Sequence, residues 1–112
     1  MAGTIKYIAA PAYIAAAAAN IYTPANAAVD TLIRHIHIAN VTGSAATFSL
    51  YVGATGGSAA GTEIFKTYSV AANSVYDWYG ARRLTSTQFL SGICETGASK
   101  LTIEVEGEYI AN

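Results

Sequence analysis

The amino-acid sequence predicts an all-β domain, a sandwich or barrel of seven or eight short strands. Apolar, β-branched and aromatic runs of strand length recur along the chain, and turn residues separate them at intervals of about ten residues. No stretch has the period of a convincing amphipathic helix. Because turns rather than helical crossovers join consecutive strands, we expect the pairing to be mostly antiparallel.

The central stretch, residues 31–53, organises this prediction. It holds two apolar runs on either side of a polar break at residues 40–44. In the second run apolar residues occupy every other position, at Ala46, Phe48, Leu50 and Val52. This period of two is typical of a strand with one buried face. We expect two neighbouring strands of one antiparallel sheet, joined by a glycine-containing turn.

The N-terminal part is expected to contribute shorter elements. Residues 4–9 fit a short first strand, after which Pro11 breaks the register. Residues 17–23 fit an extended segment despite their alanines. A chain of 112 residues fits a single domain. We therefore expect residues 17–112 to form a β-sandwich, with residues 1–16 as an N-terminal arm or first strand that docks on neighbours.

The second half is expected to complete the sandwich. Glycine-rich residues 54–61 predict an exposed loop or hairpin tip, and residues 80–83 predict a loop. The expected strands cover residues 62–72, 75–79, 88–95 and 101–105, with residues 109–110 extending the last.

The composition points to assembly and against several partner classes. Only 12% of the residues are charged, about half the usual share, whereas 53% are hydrophobic. Such a small domain has much neutral surface, which favours an oligomer or a piece of a larger assembly. The net charge is −1, and the lack of a basic cluster beyond Arg82 and Arg83 argues against nucleic-acid binding.

Cysteine content and hydropathy narrow the class further. The single cysteine, Cys94, excludes an intrachain disulfide and a cysteine zinc cluster, and its apolar neighbours predict burial. No apolar run reaches the length of a membrane span. A signal peptide needs a continuous apolar region, and Tyr7, Pro11 and Tyr13 interrupt the N-terminal stretch. We expect a soluble, intracellularly made protein that does not contact a membrane.

Two histidines two positions apart, His35 and His37, are the residues nearest to a metal motif. On a strand they share one face, and neutral imidazole is a common metal ligand. No third or fourth ligand is evident from the sequence, although symmetry could supply them from other subunits. We therefore expect no metal and no other cofactor, with both side chains on a solvent-facing or subunit-facing surface.

The carboxylates and aromatic residues give no catalytic motif. Glu104, Glu106 and Glu108 recur at period two, which predicts a solvated face, and no nucleophile, base or oxyanion donor accompanies them. We expect no catalytic residue and no enzyme activity. The aromatic run at residues 76–79 fits either stacking on sugar rings or, more commonly, a core or subunit interface. Arg82 and Arg83 could pair with carboxylates of a neighbouring subunit or lie on a surface loop.

Two long segments resemble small virion structural proteins of tailed bacteriophages. These segments are IYTPANAAVDTLIRHIHIANVTGSAATFSLYV and VAANSVYDWYGARRLTSTQFLSGICETGASKLTIEVEGEYI, and the resemblance covers roughly residues 20–110. It lies in the order of a proline turn, an Ile-rich strand ending in Ala–Asn, a small-residue turn, an aromatic strand and a final alternating strand. The alanine-rich lead-in and the two histidines depart from the usual pattern.

The resemblance implies a β-sandwich or jelly-roll-like subunit, commonly trimeric, without enzyme activity. Its place would be the virion, after synthesis in the host cytoplasm, and its partners would be copies of itself and the major capsid protein or other virion subunits. We expect a capsid decoration subunit that cements the head lattice by non-covalent contacts. The candidate contact residues are Tyr7, Tyr13, Ile14, Tyr76 and Trp78. A tail, baseplate or fibre subunit and a carbohydrate-binding module are the alternatives.

Overall fold

The computed structural model describes residues 6–24, 27–54 and 62–111, and all regular secondary structure in these ranges is β-strand. The eight strands are β1 (Lys6–Tyr13), β2 (Ala19–Tyr22), β3 (Val29–Asn40), β4 (Ala46–Gly53), β5 (Glu63–Val70), β6 (Ser74–Leu84), β7 (Phe89–Cys94) and β8 (Leu101–Ala111). In this part of the chain no helix has the length and hydropathy needed to cross a membrane.

The strands form two four-stranded antiparallel sheets that pack face to face. Their orders are β1-β8-β3-β6 and β2-β7-β4-β5, so consecutive strands repeatedly change sheets. This is the arrangement of an eight-stranded jelly roll. The predicted fold class, an antiparallel and jelly-roll-like β-sandwich, is confirmed.

The core lies between the inner faces of the two sheets. Inward residues alternate with outward ones along β3 and β8, as the apolar periodicity requires. The single buried face predicted for β4 is wrong, because Ser49 and Tyr51 on its other face are also buried. The most buried large apolar side chains of the core, each less than 2% exposed, are Phe48, Ile14, Ile33, Ile36, Ile38, Leu50, Leu84, Leu90, Leu101 and Val105. Cys94 is also buried there as a free thiol, as the sequence predicts.

The prediction that residues 31–53 form two neighbouring strands of one sheet is wrong. β3 pairs with β6 and β8, whereas β4 pairs with β5 and β7 in the opposite sheet. Crossing between sheets lets the apolar faces of β3 and β4 meet across the core, which a hairpin would have placed in one layer.

Asn40 stabilises this crossing. Its side-chain amide donates to the carbonyl oxygens of Ser44 at 2.8 Å and Val70 at 3.1 Å, and its Oδ1 accepts from the Thr42 amide at 2.9 Å. The buried asparagine therefore satisfies main-chain groups at the corner where the chain leaves one sheet for the other.

β1 runs to Tyr13, beyond the end expected at residue 9. Pro11 lies inside the strand, and the register against β8 shifts between Ala9 and Ala12, so the predicted break in register at Pro11 is confirmed. An edge strand tolerates this residue because it lacks a neighbour on one side. Ile14 follows as a core residue only 1% exposed, and its amide donates to the Leu101 carbonyl at 2.8 Å. Its expected role as a contact to neighbouring subunits is therefore wrong, because its side chain packs inside its own domain.

β6 also differs from the prediction, because residues 80–83 continue the strand instead of forming a loop. The register of β3 against both β6 and β8 shifts between Ile33 and His35, which marks a bulge. Gly80 is needed at this point, since a Cβ there would lie 2.8 Å from the Trp78 ring. Gly80, Arg82 and Arg83 are residue types typical of a loop, which is why the sequence predicted one. In the structure Gly80 instead allows the strand to continue through the bulge, because it has no side chain that would overlap Trp78.

The other local predictions fare better. Residues 17–23 contain β2, and β5, β7 and β8 match the strands expected in the second half. The turn at residues 96–99 has positive φ at Gly97 (123°) and Ser99 (59°). The loop predicted at residues 54–61 lies mostly outside the described residues.

Candidate functional site

The outer face of the β1-β8-β3-β6 sheet carries a cluster of titratable side chains from three strands. His35 and His37 come from β3, Asp77 from β6 and Glu106 from β8. Strand alternation creates it, because the isoleucines between and beside the histidines point inward and leave both imidazoles outside. The predicted sharing of one face by the two histidines is confirmed.

The three-stranded register brings the partners together. His35 lies opposite Glu106 of β8 and Tyr79 of β6. His37 lies opposite Glu104 of β8 and Asp77 of β6. Two rows of side chains thus cross the sheet with a histidine at the centre of each.

Asp77 joins the two rows. Its Oδ1 lies 2.7 Å from His35 Nε2 and 2.6 Å from His37 Nδ1, so one carboxylate oxygen contacts both imidazoles. The other ring nitrogen of His35, Nδ1, lies 3.1 Å from Glu106 Oε1. Since a neutral imidazole carries a single N–H, His35 can donate both bonds at once only as the imidazolium.

The His35 ring is also held from its face. It stacks on Tyr79 with ring centroids 4.4 Å apart and an interplanar angle of 1°. Two carboxylates at its edges and one aromatic ring on its face fix the orientation of this imidazole, which is only 20% exposed. Such constraint is unusual for a side chain on an outer face.

The charges shift the protonation of the cluster. Burial opposes the charged form of His35, but the hydrogen bonds to Asp77 and Glu106 outweigh it and raise the His35 pKa. Hydrogen bonds from His37 and His35 lower the pKa of Asp77. The carboxylates therefore favour the protonated imidazole of His35.

The same face continues toward β1. The negative charge of Glu104, together with its hydrogen bond, raises the pKa of the exposed Tyr7 phenol, and Glu106 adds to the shift. Tyr13 lies opposite Thr102 on this side of the sheet and is 54% exposed. Two expected contact residues, Tyr7 and Tyr13, are thus on the outer surface.

The two other expected contact residues point the other way. Tyr76 and Trp78 are half-buried on the inner side of β6, where Tyr76 lies 4.5 Å from Tyr68 between ring centroids. Trp78 lines a cavity of about 120 Å³ with Ile36, Ile64, Phe65 and Arg82. These aromatic residues close the edge of the sandwich between β5 and β6.

Two arginine–carboxylate pairs border the cluster. Arg34 Nε lies 3.2 Å from Glu108, and Arg83 Nη2 lies 2.8 Å from Asp30, with both carboxylates buried. Glu108 is buried beside Arg34, so the expected row of three solvated glutamates is wrong for its last member. Arg83 pairs within its own chain.

Sequence reasoning missed Asp77 and Tyr79 as partners of the histidines. The run at residues 76–79 was treated as one aromatic cluster, but alternation assigns Tyr76 and Trp78 to one face and Asp77 and Tyr79 to the other. That signal was present in the sequence. The register that sets Asp77 beside His37 could not be predicted from the sequence, because it pairs residues that are 40 positions apart in the chain.

Comparisons with known proteins identify no family for this chain. A scan against protein-family models finds no match, and a search of curated proteins finds no relative.

Proposed function

We propose that this chain is a structural virion subunit of a tailed bacteriophage, which decorates the head as a homotrimer and stabilises the capsid lattice by non-covalent contacts. One observation supports this proposal above the others. The outer face of the β1-β8-β3-β6 sheet carries four of the six exposed large apolar side chains in the described part of the chain: Tyr7, Tyr13, Val75 and Tyr79.

The chemistry of this face suits a protein interface. Tyrosine offers a rigid apolar ring with a polar tip and is enriched at interfaces, where it often dominates the binding energy. In a symmetric lattice many modest contacts add up, so each interface can be small. The jelly roll is compatible with a capsid role, although a fold alone does not define a function.

The docking mechanism follows from the position of β1. Its residues pair with β8, and Ile14 belongs to the core, so removal of residues 1–16 would damage the domain itself. The exposed rings are therefore the appropriate target. Contacts are expected through the side chains of the outer face, with the major capsid protein or with other copies of this chain.

A decoration assay tests the proposal. Purified chain is added to undecorated phage heads, and bound copies are counted by cryo-electron microscopy. The double variant Tyr7→Ser/Tyr13→Ser should lose at least about tenfold in occupancy at subsaturating concentration, as expected for interface tyrosines. Val41→Ser, which alters an exposed apolar residue between β3 and β4, is the control. Full occupancy by the double variant would refute this docking face.

Copy number distinguishes the head from the tail. Hundreds of copies on the lattice of native particles would agree with decoration. A handful at one vertex would favour the tail, baseplate or fibre alternative.

The geometry argues against carbohydrate binding through Trp78. Its ring faces the interior of the sandwich, and the adjoining cavity of about 120 Å³ is small beside the roughly 300–1,000 Å³ of ligand pockets. Glycan-array binding that is lost in Trp78→Ala would reverse this assessment.

A further inference from the structure

We propose that His35, His37 and Asp77 form a binding site for a divalent transition-metal ion such as Zn²⁺. The inference is independent of the virion proposal. Each residue offers one ligand atom, and the three atoms all lie within 4.8 Å of one another. Two imidazole nitrogens and one carboxylate oxygen are the ligand types that Zn²⁺ and its neighbours in the first transition row accept.

The distances leave a short path from the present arrangement to coordination. Asp77 Oδ1 lies 2.7 Å and 2.6 Å from the two ring nitrogens, which are hydrogen-bond distances. Around a tetrahedral ion with bonds of about 2.0–2.1 Å, ligand atoms stand roughly 3.3 Å apart. Separations to Asp77 must therefore grow by less than about 1 Å, and the two imidazole nitrogens, which lie within 4.8 Å of each other, must approach to the same spacing of roughly 3.3 Å. Rotation of the partly exposed Asp77 and His37 side chains provides this adjustment.

The surroundings of His35 resemble those of an established type of metal ligand. Histidines that bind metals usually donate their second ring nitrogen to a carboxylate, which fixes the tautomer and strengthens the ligand. Glu106 supplies that carboxylate at His35 Nδ1, 3.1 Å away, and leaves Nε2 for the ion. The stacked Tyr79 ring fixes the imidazole plane. Two surface histidines without a binding role would require neither the carboxylate of Glu106 nor the stacked ring of Tyr79.

The scaffold adds preorganisation. Both histidines stand on β3, the strand with neighbours on either side, and Asp77 stands directly opposite His37 on β6. Sites on paired strands are held more firmly than sites on loops. Three protein ligands leave a fourth position open, which water or a group of a neighbouring copy can fill.

The binding reaction balances in protons and charge. The ion takes the place of the Nε2 proton of the His35 imidazolium, which passes to solvent, while the Nδ1 proton stays bonded to Glu106. His37 binds the ion through Nδ1 as the neutral tautomer that carries its proton on Nε2. Asp77 and Glu106 provide negative charge beside the ion. The competing explanation is a network of hydrogen bonds that holds protons only and takes up no metal.

Zn²⁺ titration of the full-length chain, made without a polyhistidine tag, tests the site. Isothermal titration calorimetry should show one Zn²⁺ per chain, and Zn²⁺ should raise the melting temperature until a chelator is added. His37→Ala and Asp77→Asn should each weaken binding at least tenfold. Glu106→Gln should weaken it by about 10–100-fold and keep the stoichiometry at one.

Controls separate the site from adventitious binding. Glu63→Gln removes an exposed carboxylate on the opposite sheet and should bind Zn²⁺ as the parent chain does. Circular dichroism of the metal-free variants checks that each is folded. Affinity that is unchanged in both His37→Ala and Asp77→Asn, or no binding by the folded parent chain, would overturn the proposal. Because these readouts need no phage particle, failure here leaves the decoration proposal standing, and the reverse also holds.

Discussion

The two faces of the β1-β8-β3-β6 sheet have different roles although they share the same backbone: the inner face packs in the core, and the outer face carries the titratable cluster. On β3, the inner residues Ile36 and Ile38 are at most 1% exposed and pack in the core. The residues beside them, His35 and His37, face outward and join carboxylates from β6 and β8. Neighbouring positions therefore differ completely in physical role, so substitutions one residue apart should separate stability from binding.

The largest effect is expected from the inner face. Ile38→Ala removes a fully buried side chain and should lower the free energy of unfolding by about 2–5 kcal/mol, since it loses apolar burial and leaves a cavity. Its neighbour His37→Ala should cost about 1 kcal/mol or less, because its contacts are partly exposed. Urea denaturation of both variants measures the difference. Equal losses would contradict the division between the faces.

A second prediction concerns the bulge between Ile33 and His35, where β3 lies close to Gly107 of β8. At Gly107 a Cβ would lie 2.0 Å from the Leu32 carbonyl oxygen, so Gly107→Ala has to displace backbone. We expect a loss of about 1–3 kcal/mol in the free energy of unfolding. Gly43→Ala is the matched control, because no atom lies within 4 Å of its added methyl group. A neutral Gly107→Ala would show that the strands separate more easily than this contact implies.

A third prediction concerns a hydrogen bond between the sheets. The Tyr22 hydroxyl of β2 and the Thr31 hydroxyl of β3 lie 2.7 Å apart in the core. Tyr22→Phe keeps the ring and should cost about 1–2 kcal/mol, because the Thr31 hydroxyl loses this buried partner. Thermal unfolding provides the measurement, and Tyr13→Phe, altered on the outer face, should leave stability nearly unchanged.

The smallest effect is electrostatic and confined to the outer face. Glu104 raises the pKa of the exposed Tyr7 phenol through its charge and a hydrogen bond. Glu104→Gln should move the Tyr7 pKa back toward its ordinary value without changing stability measurably. The pH dependence of the Tyr7 ring signals in NMR spectra follows the shift. An unchanged Tyr7 pKa would mean that Glu104 does not act on this ring in solution.

The sequence predicted local secondary structure better than it predicted which strands pair. Alternation identified the core-facing residues of β4 and the buried face of β8, since that signal depends only on adjacent residues. The pairing of β3 with β4 was mispredicted because a short turn fits both a hairpin and a crossing between sheets, and only the shared core decides. Within the site, the shared face of His35 and His37 was predictable. Their meeting with Asp77 depends on a long-range register that no local pattern encodes.

The place of β3 in its sheet has a consequence for how the chain acquires its structure. Both of its neighbours, β6 and β8, come later in the chain, so β3 leaves the ribosome well before either partner exists. The hydrogen-bonding edges of β3 therefore stay unpaired until β6 and β8, which ends at Ala111, have been synthesised. Folds dominated by such distant pairings fold in about milliseconds to seconds, much slower than local ones. During that interval the unpaired, isoleucine-rich β3 is open to aggregation and to chaperone binding.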